Sequence, residues 1–274
     1  MKTKNQLLIL FTITFLLIST ISFAQEEEQK RPEYISVTTM HWNMDNEDWD
    51  MDSWKAVEKE YLDKVTMKNE HLVGAGIYLH KLTPDNSELL YVQVYKDWDA
   101  IDKAAKRNEE LENEAWPDEN ARKAYFKKRG AYYAPDHSDE IYATMSGAKL
   151  VGEKSDDMIL YIRKSHFSFS GNGSWKEYKE LRDEHLEKIV HKNEFVKGYY
   201  PSNHAYGSDR TEFVEAFYLD SMADLDKMFA RSGELAKEAW PDEEARKARG
   251  KKWSTYFTGI HGDYVYSVIP ELSK

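Results

Sequence analysis

The chain has 274 residues, of which 41% are hydrophobic, 14% aromatic and none cysteine. That excludes disulfides, thiolate metal sites, cysteine nucleophiles and lipidation at a lipobox. Acidic residues outnumber basic ones 49 to 38, for a formal net charge of -11, and a surface of that sign repels phosphate backbones, so nucleic acid is not an expected partner.

The chain opens on a short basic stretch with Lys2 and Lys4, followed by an almost wholly apolar run from Leu7 to Ile21 and by Ser22-Phe23-Ala24. This is the charged, apolar and small-residue pattern of a secretory signal. It predicts a cleaved signal peptide over 1–24 and an acidic tail over 25–32. The protein is then exported, to the periplasm or outside the cell. The apolar run is short for a membrane span, so no stable membrane insertion is expected after cleavage. Without Lys2 and Lys4 the mature chain carries 36 basic and 49 acidic residues.

An internal repeat sets the architecture. Glu114-Ala115-Trp116-Pro117-Asp118-Glu119-Asn120-Ala121-Arg122-Lys123-Ala124 recurs as Glu238-Ala239-Trp240-Pro241-Asp242-Glu243-Glu244-Ala245-Arg246-Lys247-Ala248, identical at 10 of 11 positions with an offset of 124. The same offset pairs Lys68-Asn69-Glu70 with Lys192-Asn193-Glu194, and His80 with His204. Trp54 pairs with Trp175 at 121, which places a short indel before the first helix. Units of this size are domains rather than solenoid repeats. The predicted units are 33–150 and 151–274, and the junction from Ser146 to Asp157, rich in Gly, Lys, Ser and Asp, reads as a linker.

Within the first unit, Tyr34–Trp42 is β-rich and reads as a strand. The acidic run Asp45–Asp52 has a calcium-loop look, but Ser53 and Lys59 stand where that pattern needs Gly and Glu. A solvated loop leading to a helix is the better reading. Ser53 is the expected N-cap of a helix striped by Trp54, Val57, Tyr61, Leu62 and Val65. Val73–Leu82 and Leu89–Tyr95 form a predicted hairpin across the turn residues Thr83-Pro84-Asp85-Asn86. Trp98, Ile101, Ala105 and Leu111 stripe a second helix. Pro117 suits the first turn of a third helix running to about Arg129, where acids favour the helix N-terminus and Arg122 and Arg246 have ion-pair spacing to Asp118 and Asp242. Glu140–Met145 closes the unit as a fourth strand. The fold class is α+β: two tandem ferredoxin-like βαββαβ repeats, each with an extra helix.

Side chains alternate between the faces of a strand. Ala75, Ile77 and Leu79, with Leu90, Val92 and Val94, and with Ile141, Ala143 and Met145, are expected beneath the helices. Tyr78 and His80, with Tyr91, Gln93 and Tyr95, and with Tyr142 and Thr144, are expected on the open face. Large rings on an open sheet face meet a partner or enclose a cavity.

With this element order, duplication and two-faced sheet, the chain resembles the dimeric α/β-barrel superfamily over roughly 33–145 and 158–269. The resemblance implies an intrachain pseudo-dimeric barrel holding a small apolar or aromatic organic ligand between its sheets. That superfamily includes monooxygenases, haem-degrading enzymes, chlorite dismutases, peroxidases, polyketide cyclases and proteins without clear catalysis, so membership does not fix a reaction. No catalytic motif carries over. The extra Trp-Pro-Asp-Glu helix, Pro201 in place of Ile77, and Glu215 and Phe217 in place of Tyr91 and Gln93 depart from a symmetric pair.

The candidate site is therefore Tyr78, His80, Tyr91, Gln93, Tyr95, Tyr142, His204, Phe217 and Tyr266. His80 and His204 are placed to act as general bases or as ligands to haem iron, or else as structural imidazoles at the barrel rim. His41, His137, His166 and His261 are secondary candidates, with His137 and His261 read as lying in turns with Asp139 and Asp263. No metal site is predicted. The leading reading is ligand binding with histidine-assisted proton transfer or oxidation. The alternatives are a non-catalytic interaction module and a haem-binding protein, and the surface is compatible with a homo-oligomer.

Overall fold

The computed structural model describes residues 33–168 and 173–274. The predicted signal peptide and acidic tail lie outside the described residues. The first half runs β1 (Tyr34–Trp42), α1 (Met51–Lys64), β2 (Leu72–Leu82), β3 (Glu88–Tyr95), α2 (Asp99–Ala115), α3 (Glu119–Gly130) and β4 (Tyr133–Thr144). The second runs β5 (Ile159–Phe167), α4 (Trp175–His185), β6 (Gly198–Tyr206), β7 (Glu212–Leu219), α5 (Ala223–Ala239), α6 (Glu243–Ser254) and β8 (Phe257–Ser273). A five-residue π turn, Leu186–Val190, prolongs α4.

The helices begin where side-chain oxygens satisfy otherwise orphaned N–H groups. Ser174 accepts from Glu177 N at 3.1 Å. In the first half Asp50, not Ser53, is the cap: its carboxylate accepts from Ser53 N at 2.9 Å, and the helix starts two residues before the expected cap. A carboxylate before Met51 draws the start upstream. Asp118 and Asp242 cap α3 and α6, accepting from Ala121 N and Ala245 N at 2.8 and 2.7 Å. Because those carboxylates are committed to the caps, Arg122 and Arg246 turn instead to the Trp116 and Trp240 carbonyls, at 3.1 and 2.7 Å.

Eight strands close a barrel in the order β1-β3-β2-β8-β5-β7-β6-β4, and every adjacent pair is antiparallel. Each half contributes four consecutive strands, and β2·β8 and β4·β6 are the seams. The proline that replaces Ile77 sits beside one seam: Pro201 pairs with Glu215 on β7, and its carbonyl accepts from Met145 N just before the β4·β6 ladder begins at Thr144↔Ser202. The missing N–H of Pro201 thus falls where the ladder stops.

Three apolar layers result. Outside the first half, Trp54, Val57, Tyr61, Leu111, Trp116 and Tyr125 from the helices pack on Ile77, Leu79 and Leu89. Outside the second, Leu186, Val190 and Met228 pack on Ile159, Tyr161, Tyr199, Leu219 and Val265. The third layer is the barrel interior, built on Tyr78, Leu90, Tyr142, Leu160, Ile162, Val214, Tyr218, Tyr266 and Val268.

Period-two alternation gives β2 and β4 the expected faces, but β3 is inverted. The ladder pairs Ile77 with Tyr91 and Tyr78 with Leu90, and directly opposed residues share a face. Leu90, Val92 and Val94 therefore point into the barrel, and Tyr91, Gln93 and Tyr95 point outward under the helices. The same inversion puts Phe217 outside, 4.9 Å from Tyr199 and 5.6 Å from Tyr161 between ring centroids. His137 and His261 lie within β4 and β8 rather than in turns. Each reaches the carboxylate two residues on along the same strand face, at 3.4 Å to Asp139 and 3.2 Å to Asp263.

Candidate functional site

The barrel encloses a cavity of about 590 Å³. Its middle is aliphatic, with Val37, Leu90, Val92, Leu160, Ile162, Val214 and Ala216 in the wall. Six tyrosines, Tyr78, Tyr142, Tyr200, Tyr218, Tyr264 and Tyr266, complete it with a few charged groups at its ends. The inward position of every strand supplies the wall, which is why one continuous lining comes from both halves.

The phenols are tied down by polar partners. The Tyr78 and Tyr218 hydroxyls, one from each half, are 2.6 Å apart. Tyr142 donates to Glu212 at 2.6 Å, and Lys164 donates to Tyr142 at 3.4 Å while lying 3.7 Å from Glu212. Tyr266 donates to Glu88, again across the seam between halves. Tyr200 accepts from Val151 N at 2.9 Å. Burial holds all of Tyr78, Tyr142, Tyr218 and Tyr266 above the ordinary phenol range, and the carboxylates add to it at Tyr142 and Tyr266. These hydroxyls therefore stay protonated.

The segment between the halves is part of the wall. Val151, Gly152 and Lys154 line the cavity. Lys149 and Tyr199 exchange backbone hydrogen bonds of 2.9 and 2.8 Å, which fix the segment against β6. A Cβ on Gly198 would come within 2.8 Å of the Val151 Cβ, so glycine there admits the close approach.

Of the predicted site residues, Tyr78, Tyr142 and Tyr266 are brought together in the wall. Tyr91, Gln93, Tyr95 and Phe217 lie on the other face. Tyr95 donates to Gln93 at 3.0 Å and packs with Leu72, Ala100 and Ala104. His80 and His204 lie beyond the wall at the ends of β2 and β6. His80 Nδ1 is 2.8 Å from the Thr83 hydroxyl. His204 is opposite Tyr142 in the β4·β6 ladder, and its Nε2 is buried without a hydrogen-bond partner among the described residues. His41 and His166 occupy matching positions near the ends of β1 and β5, each beside the turn of a neighbouring hairpin, His41 Nδ1 being 3.3 Å from both Ser87 Oγ and Asp85 Oδ2 and His166 Nδ1 3.1 Å from Thr211 Oγ1 and 3.0 Å from Asp209 Oδ2. His137 and His261 are exposed.

Haem held by histidine does not fit this wall. Among the described residues the lining contains no imidazole, thiolate or thioether, and four of its phenols are already hydrogen-bonded to one another or to carboxylates. Sequence reasoning missed Tyr200, Tyr218, Tyr264, Glu88, Glu212, Lys154 and Lys164. The repeat offset held a usable signal: Tyr200 matches Gly76, on the inward face of β2, while Tyr218 matches Val94 and points inward only once the facing of β3 is known.

The barrel with helices outside it is the architecture of the dimeric α/β-barrel proteins, and comparison with solved structures places the chain in that fold. A proposed monooxygenase from Fusobacterium nucleatum superposes with a TM-score of 0.57 at 12% identity, covering 87% of this chain and 93% of its own. A proposed monooxygenase from Lactobacillus acidophilus gives 0.52 at 6%, covering 86% and 93%. An arginine variant of the chlorite dismutase from Candidatus Nitrospira defluvii gives 0.53 at 11%, covering 88% and 93%. No protein-family model matches the chain, and no curated protein does. Among the described residues, no helix is long and apolar enough to cross a membrane.

Proposed function

We propose that this is an exported protein, a fusion of two ferredoxin-like units over 33–150 and 151–274, that binds a small, largely apolar or aromatic organic molecule inside its barrel. The cavity of about 590 Å³ supports the reading. It falls in the size range of small-molecule pockets and has their character, a mostly apolar wall with a few placed polar groups. A barrel serving only as a scaffold would fill this space with its own side chains. Proton exchange with the bound molecule falls to Tyr142 and Lys164, which lie in the wall with Glu212 as their partner, rather than to the histidines, which do not line it. The basic, apolar and small-residue succession of residues 1–24 supports export, and the offset of 124 supports the fusion.

The test is titration with naphthalene- and anthracene-sized fluorescent compounds. One-to-one binding is expected, accompanied by a rise in Tm, and Ala216→Trp, which fills the middle of the cavity, is expected to abolish it. Binding that survives this substitution, or no binding by any compound, overturns the reading.

A further inference from the structure

The cavity contains three lysines, and their surroundings differ. Lys164 faces Glu212 at 3.7 Å. Lys274 turns its ammonium to the Thr66 and Asn69 carbonyls, at 3.0 and 2.5 Å. Lys154 has neither kind of partner. Its Nζ donates to the Ser273 hydroxyl at 3.2 Å and stands 5.8 Å from the centroid of the Tyr218 ring, and no carboxylate among the described residues pairs with it. An ammonium has three donors, and Lys154 is half-buried, so a partly desolvated charge there gains from being paired.

The position of Lys154 is built into the chain path. The segment that carries it is held by the Lys149–Tyr199 bonds, by the Val151–Tyr200 bond and by the close approach at Gly198. The ammonium is therefore presented at the end of the cavity where the Tyr78–Tyr218 hydroxyl pair also lies. The opposite end carries Glu88 in the wall, with Glu212 behind Tyr142 and facing Lys164. The two ends thus differ: the lysine at the linker end has no carboxylate partner among the described residues, whereas Lys164 at the other end is paired with Glu212.

We propose that the cavity ligand is an organic acid, its carboxylate paired with Lys154 at the linker end and its apolar or aromatic body lying along Leu90, Val92, Val214 and Ala216. This rests on the reading of the barrel as a ligand site and adds the class of ligand. Burial, which lowers the Lys154 ammonium below the ordinary lysine range, makes a paired anion favourable at that point.

The experiment compares 2-naphthoate with methyl 2-naphthoate, which have the same ring system and differ in charge, by calorimetric titration against the wild-type protein and the Lys154→Met, Lys154→Arg and Ala216→Trp variants. The wild type is expected to bind the acid about tenfold or more tightly than the ester, the range of a hydrogen bond to a charged group. Lys154→Met should remove that preference, bringing the acid and ester affinities together, and Lys154→Arg should keep it. An unchanged Tm for Lys154→Met separates lost recognition from lost folding. If acid and ester bind equally to the wild type, or the preference survives in Lys154→Met, the inference is overturned. The cavity reading then still stands where ester binding is lost in Ala216→Trp. Binding of neither compound removes both.

Discussion

The two halves place opposite chemistry beneath equivalent helices. In the first, Glu58 is 3% exposed and takes a bidentate pair from Arg129 at 2.8 and 2.9 Å. It also accepts from Tyr133 at 2.7 Å, while Tyr133 accepts from Trp54 at 2.8 Å. The Arg129 guanidinium lies 4.0 Å from the Tyr61 ring centroid. In the second half the positions matching Arg129 and Tyr133 are Trp253 and Phe257, and Glu58 matches the exposed Lys179. Rings occupy the space: Tyr178 is 1% exposed and stands 5.7 Å from Trp253, 5.4 Å from Tyr256 and 5.4 Å from Phe167. The same arrangement of strands and helices therefore accepts either a satisfied polar network or an aromatic stack. The network depends on every member being present, whereas the stack depends on volume.

The largest expected effect follows from that dependence. Arg129→Met leaves Glu58 buried without its cation and should destabilise the protein by about 3–5 kcal/mol. The double variant Glu58→Met with Arg129→Met should recover a large part of the loss. Urea unfolding of the two single variants and the double variant measures this coupling. Additive losses would show that the pair is not an interdependent unit.

Two asparagines supply the shared part of the comparison. Asn69 and Asn193 are both fully buried. Each ties the turn after the first helix of its half to the second: Asn69 donates to the Ala104 carbonyl at 2.8 Å and accepts from His71 N at 3.0 Å, while Asn193 donates to the Met228 carbonyl at 2.9 Å and accepts from Phe195 N at 3.1 Å. Asn69→Ala and Asn193→Ala should each cost about 1–3 kcal/mol, because buried backbone groups lose their partners. Equal losses by thermal unfolding are expected, and a marked inequality would mean that the halves diverge even where their sequences agree.

Hydroxyl deletion separates the halves more finely. Tyr133→Phe removes the oxygen that joins Trp54 to Glu58 and should cost about 1–3 kcal/mol. The Tyr178 hydroxyl is buried with no hydrogen-bond partner among the described residues. Tyr178→Phe should therefore be neutral or stabilising by up to about 1 kcal/mol, since it relieves an unpaired polar group. Matched denaturation curves check the sign, and a loss at Tyr178 as large as that at Tyr133 would sink the contrast.

The repeat, the element order and the facing of two strands were legible because each rests on a strong local signal. The offset of 124 aligns the halves, and in β2 and β4 tyrosine alternates with isoleucine. In β3 both parities are large and apolar enough to be buried, with Leu90, Val92 and Val94 on one and Tyr91, Gln93 and Tyr95 on the other. Aromatic content suggested an open face for the second set, but rings pack equally well beneath a helix once their hydroxyls find partners, as Tyr95 does with Gln93. Only the pairing of Ile77 with Tyr91 decides the facing. Lys154 was hidden for another reason. A segment rich in Gly, Lys and Ser has the composition of a connector, and nothing local in it records that the chain passes across the mouth of a barrel assembled from residues far away in sequence.

A pH dependence that traces to one histidine separates the halves at a further position. His185, at the end of α4, stands 5.7 Å from the Trp253 ring and is held down to about pKa 4, first by burial and then by the Arg249 charge. The matching position in the first half is Lys64, which pairs with Glu60 at 2.6 Å on the surface. The unfolded chain takes up a proton at His185 near pH 6.5, whereas the native state resists protonation until about pH 4. Stability attributable to the neutral ring is therefore complete above pH 6.5 and falls as the pH drops through that window. His185→Phe keeps a ring against Trp253 and removes the titration. The urea midpoint of the wild type should fall relative to that of the variant between pH 6.5 and 4, while the two curves run parallel above it. Parallel curves throughout would mean that the imidazole is not shielded from solvent, and the aromatic stack of the second half would then be more open to water than the polar network of the first.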